Sequence, residues 1–111
     1  MNDLLQKAID KYGVVNQLDM CIEECAELIQ AINKVKRAKL IHFDNKKRCI
    51  EKPNKHMDLK RVVIYNNLCS EVADVKIMIS QLELMLSKET IDISFERKLQ
   101  RLEERINENQ N

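Results

Sequence analysis

Four carboxylates carry the strongest chemical signal in this chain. Glu24 and Glu27 are three residues apart, and so are Glu71 and Asp74. On a helix that spacing puts both members of a pair on one face. A wheel at about 100° per residue places Glu24 at the edge of an apolar stripe marked by Leu28 and Val35. Glu27 falls one ridge further out, and Glu23 is the most polar-facing of the three. Taken alone, this segment also reads as an ordinary solvated face. Glu71 and Asp74 are more telling, because Val63, Ile64, Met78, Leu82 and Met85 share their sector. Burying an unpartnered ionised carboxylate is costly, and two side by side repel, so one must protonate or gain a cation. Two solutions stand open: ion pairs, with Lys60 or Arg101 as partners, or a metal ion. Four hard oxygen donors suit Mg²⁺, with Mn²⁺ as the second choice. Neither motif contains the His that di-iron bundles set three residues from a Glu. A carboxylate site for Mg²⁺ keeps positions for water and phosphate oxygens, which points to phosphate chemistry.

Such groups need rigid elements behind them, and the composition allows mainly one kind. With one Gly and one Pro in 111 residues, there is almost no turn punctuation for a multi-stranded sheet. At 44% hydrophobic residues the chain is too apolar to be disordered. Amphipathic spacing predicts four helices, over about residues 3–12, 16–40, 58–87 and 94–107. Asp3 and Asn16 are the expected caps of the first two, and Gly13 separates them. The third is apolar nearly all round, from Val62 to Leu86, and is expected to be central and buried. Residues 41–57 lose periodicity and contain Pro53, so a basic loop is expected there. The reading is an all-α four-helix bundle forming a single domain over residues 1–111. Cys21 and Cys25 read as small core side chains.

The segment Glu23-Glu24-Cys25-Ala26-Glu27-Leu28-Ile29 resembles the EExxE element of the MazG-like all-α nucleoside triphosphate pyrophosphohydrolases. Glu71-Val72-Ala73-Asp74-Val75 resembles their ExxD element. Residues 98–105, Lys-Leu-Gln-Arg-Leu-Glu-Glu-Arg, are similar to the basic helix that follows ExxD in small phage-type members. Here 43 residues separate the two acidic motifs, more than the family's pattern, and the excess lies in the basic segment. The resemblance implies a bundle completed by a homodimer or homotetramer. It also implies hydrolysis of a nucleoside triphosphate between the α and β phosphates, releasing a monophosphate and pyrophosphate. By position, Glu24, Glu27, Glu71 and Asp74 would hold Mg²⁺; Glu23 and Glu24 would be the catalytic residues, with Glu23 either supporting the metal ligands or helping to orient the attacking water. Lys98 and Arg101, three apart on the last helix, are the candidates for holding substrate phosphate.

Net charge hides an asymmetry. Residues 34–61 carry about +8 and the remainder about −7. The basic residues 46, 47, 48, 52 and 55 could close over a triphosphate. The alternative is a non-catalytic nucleic-acid-binding or regulatory helical protein using residues 34–61. Against it, aromatics are only 4% and no helix-turn-helix pattern is evident, so nucleic acid is not the expected partner. No apolar run approaches the about 20 residues of a membrane span, and Met1-Asn2-Asp3 does not open a secretory signal. Residence in the cytoplasm, without membrane attachment, is therefore expected.

Overall fold

Gly13 divides the first two helices. In the computed structural model, which describes residues 1–43 and 48–108, α1 spans Asn2–Tyr12 and α2 spans Val14–Arg37. Gly13 lies between them at φ 90°, ψ 151°, a conformation that favours glycine because a Cβ would be strained there. Met1, rather than Asp3, takes the N-cap position of α1, and Asp3 lies in the first turn, where its charge suits the helix dipole. Asn16 likewise sits inside α2, its Nδ2 donating to the Tyr12 carbonyl at 2.7 Å. Lys34, Lys36 and Arg37 occupy the last turn of α2, with the favourable sign for its dipole. The chain then reverses through Lys39 at φ 55°, and Leu40 N donates back to the Val35 carbonyl at 3.3 Å. This seats Leu40 in the core with no exposed surface.

The expected loop at residues 41–57 contains a small hairpin. Strands β1 (Ile41–Phe43) and β2 (Arg48–Ile50) pair antiparallel, with Ile41 opposite Ile50. Glu51 N closes the base of the hairpin onto the Leu40 carbonyl at 2.7 Å. Three-residue strands are too short to show an alternating pattern. Their β-branched and aromatic residues favour the extended form all the same. Lys46 and Lys47 lie outside the described residues.

Helix α3 (Leu59–Met85) starts on an Asp58 cap, whose Oδ1 accepts from Arg61 N at 2.8 Å. Helix α4 (Lys88–Glu108) begins six residues before the expected start. Ser87 explains the difference, since its Oγ accepts from Thr90 N at 3.1 Å. The fold is all-α with four helices. Helix α3 is its hub, packing on α1, α2 and α4. Leu5 and Ile9 of α1, Ala31 and Val35 of α2, and Val75 and Met78 of α3 form the core with Leu40. Helix α3 is less enclosed than expected: Val63, Val72, Ile77 and Ile79 remain exposed in the single chain. Helix α4 buries none of its residues. Among the described residues, no helix is long and apolar enough to cross a membrane.

Candidate metal centre

The register of α2 against α3 is fixed by hydrogen bonds at its two ends. Gln17 Nε2 donates to Gln81 Oε1 at 2.7 Å, both side chains buried. At the other end, Arg61 Nη2 donates to the Ala38 carbonyl at 3.2 Å. The helices therefore run antiparallel. Seven residues are close to two helical turns, so a step of seven stays on one ridge. One such step from Gln17 reaches Glu24, and one step back from Gln81 reaches Asp74. The next turn brings Glu27 against Glu71.

The outcome is a cluster of four carboxylates. Glu24, Glu27, Glu71 and Asp74 each offer an oxygen, and these oxygens all lie within 4.8 Å of one another. Glu24, Glu71 and Asp74 are half-buried, and Glu27 reaches in from an exposed position. Glu24 Oε2 and Glu71 Oε2 are fully shielded and, among the described residues, have no hydrogen-bond partner. Leaving a buried acceptor unmet costs about 1–3 kcal/mol, more for a charged one, so this arrangement is poorly satisfied by protein groups alone. Burial raises the Glu24 carboxyl above its ordinary value, and the charges of Glu27, Asp74 and Glu71 add to the effect. Burial raises Glu71 as well, followed by Glu27 and Asp74. Both shifts have one physical origin, negative charge crowded away from water.

The ion-pair solution is not the one adopted. Among the described residues the single ion pair within 4.0 Å is Lys88–Asp92, an exposed pair on α4. Neither Lys60 nor Arg101 pairs with the cluster. The donor set itself fits a divalent cation: four carboxylates within mutual ligand range, hard in character, with two oxygens unclaimed.

The remaining candidates lie elsewhere. Glu23 is exposed and lines a shallow depression with Tyr12, Asn16, Gln17, Asp19 and Met20. Lys98 and Arg101 share one face of α4 with Ser94 and Arg97, both exposed. Cys21 and Cys25 are half-buried beside an apolar groove with Leu18, Ile22, Ile29 and Leu82. Sequence reasoning passed over the Gln17–Gln81 pair, which sets the register of the whole centre. Its signal was present: two Gln residues, each seven residues from a cluster carboxylate.

No family model, curated protein or solved structure matches the chain.

Proposed function

We propose that the chain is a metal-dependent hydrolase of nucleoside triphosphates, of the MazG-like type, cutting between the α and β phosphates. The observation that carries this reading is the convergence of Glu24, Glu27, Glu71 and Asp74 within 4.8 Å, with two shielded oxygens unmet. The order of the EExxE and ExxD elements supports it. These four residues would hold Mg²⁺, or Mn²⁺ in its place. When bound there, the ion neutralises phosphate oxygens and acidifies a water.

The chain's own groups supply the rest. A carboxylate of the cluster that does not hold the ion accepts the proton of the attacking water, with Glu24 the first candidate and Glu23, exposed one residue before it, acting from outside the cluster. The water oxygen bonds to the α phosphorus as the bond to the α–β bridging oxygen breaks. A nucleoside monophosphate and pyrophosphate leave. Negative charge grows on the departing phosphates, and Lys98 and Arg101 are the proposed cations for it. Among the described residues neither forms an ion pair, and α4 buries none of its residues. Their role therefore calls for α4 of a second copy, in a homodimer or homotetramer. The exposed apolar positions Phe95, Leu99, Leu102 and Ile106 give that helix a reason to associate.

The test is a panel of nucleoside triphosphates with Mg²⁺, with products separated. Pyrophosphate and monophosphate in equal amounts support the reading. Release of single phosphate, or no turnover with either Mg²⁺ or Mn²⁺, overturns it.

A further inference from the structure

A groove of about 700 Å³, within the size range of small-molecule sites, opens between the end of α2 and the start of α3. Leu59, Val63 and Ile64 form its apolar floor, and Lys34, Arg37 and Lys60 stand around it. Its place relative to the carboxylates follows from the helix register. Lys34 is seven residues beyond Glu27, and Ile64 is seven before Glu71. Both steps keep the same ridge, so the groove lies about 10 Å along the same face of the α2–α3 pair. Asn67, half-buried, falls between them, seven residues from both Lys60 and Asp74.

The polar chemistry of the groove is one-sided. Lys and Arg side chains donate hydrogen bonds and accept none. Four carbonyls at the end of α2 already have partners. Lys34 O accepts from Ala38 N, Val35 O from Leu40 N and Lys36 O from Lys39 N. Ala38 O accepts from Arg61. Asp58, the carboxylate beside Leu59, turns its Oδ1 to Arg61 N. A ligand here meets aliphatic side chains on one side and donors at the edge.

We infer that this groove seats the nucleobase of the substrate and selects bases that carry a carbonyl at purine position 6 or pyrimidine position 4 over bases that carry an amine there. The inference rests on the hydrolase reading, which sets the phosphates at the carboxylates and leaves the base to extend along the face. The flat ring packs on Leu59, Val63 and Ile64. Arg37 and the two lysines donate to O6 and N7 of guanine or O4 of uracil and thymine. Adenine and cytosine turn an amino group toward the same donors and leave it unmet. Asn67 is placed for the ribose.

The experiment has two arms. Rates are compared for dGTP, dTTP and dUTP against dATP and dCTP, and binding of the five monophosphates is measured calorimetrically with Mg²⁺. The inference expects the carbonyl-bearing group to lead by about tenfold or more in both arms. Arg37→Met should shrink that ratio, and Arg37→Gln, which adds an acceptor, should restore the amino-bearing bases. Both variants should keep the rise in melting temperature with Mg²⁺, since Arg37 is exposed and lies outside the carboxylate cluster. Equal use of all five bases, or a ratio unchanged in both variants, overturns the inference and leaves the hydrolase reading standing. No turnover of any triphosphate, with monophosphate binding still base-selective and sensitive to Arg37, overturns the hydrolase reading alone. A chain that binds no nucleotide overturns both.

Discussion

At the scale of single residues, the four carboxylates impose opposite demands on stability and function. Glu24 and Glu71 hold their protons above the ordinary carboxylate range, burial being the first cause. The folded chain therefore binds protons more tightly than the unfolded chain. The contribution of these two groups to the stability of the metal-free protein should be fully present below the ordinary carboxylate pKa and be lost as pH rises through the raised values. Melting curves across pH check this, and added Mg²⁺ at neutral pH should recover the loss. A metal-free melting temperature that climbs over the same acid-to-neutral interval contradicts the crowding. Glu71→Gln separates the two demands in one variant. It should raise the metal-free melting temperature at neutral pH, abolish the rise with Mg²⁺ and cut turnover by about a hundredfold or more. Asp74→Asn should lose turnover likewise, with its helical circular dichroism intact. Their spacing made these carboxylates legible in the sequence, because three residues apart on an apolar sector is a costly pattern without a cation. The absence of an ion-pair partner was not legible, since it depends on where Lys60 and Arg101 end up in space.

At the scale of elements, the centre exists because α2 and α3 are locked in one register. The buried Gln17–Gln81 hydrogen bond is one lock. Gln17→Leu alone should cost roughly 1–3 kcal/mol by orphaning the partner amide, while Gln17→Leu with Gln81→Leu should be nearly neutral. Urea denaturation of the single and double variants gives the comparison, and additive losses in the double variant contradict it. Leu40 is the other. It plugs the end of α2 with no exposed surface, so Leu40→Ala should cost roughly 2–5 kcal/mol in the same measurement. Element types were mostly readable, since helical periodicity runs over many residues in α2, and α3 is a long apolar stretch with no Gly or Pro to break it. The hairpin was hidden, because three residues per strand carry no period. The start of α4 was hidden too, because Ser87 acts through a local cap and residues 88–93 show no apolar stripe of their own.

At the scale of the whole molecule, the chain is more open than its length predicts. Its radius of gyration is 18.0 Å, against about 13 Å for a compact chain of this size. The excess reflects α4, which packs on α3 yet leaves Phe95, Leu99 and Leu102 exposed. The outer face of α2 adds Ile22 and Ile29. Apolar surface of this extent on separate faces is expected to drive self-association. Sedimentation should show an assembly larger than one chain, and Leu99→Glu with Leu102→Glu should dissociate it while keeping the helical signal. A wild-type chain that sediments as a monomer at high concentration contradicts the proposed route by which Lys98 and Arg101 reach a site. Helix α3 is central, as its all-round apolar character predicts, yet Val63, Val72, Ile77 and Ile79 stay exposed, because periodicity does not say how many neighbours a helix meets.

The claim beneath all of these is that the two helices share one divalent ion. Calorimetric titration of Mg²⁺ into the metal-free protein tests it directly, with Glu71→Gln and Asp74→Asn alongside. Saturable binding in the wild type, weakened about tenfold or more in each variant, is the result expected. A wild type that takes up no ion at millimolar Mg²⁺, or variants that bind as tightly as the wild type, would contradict it.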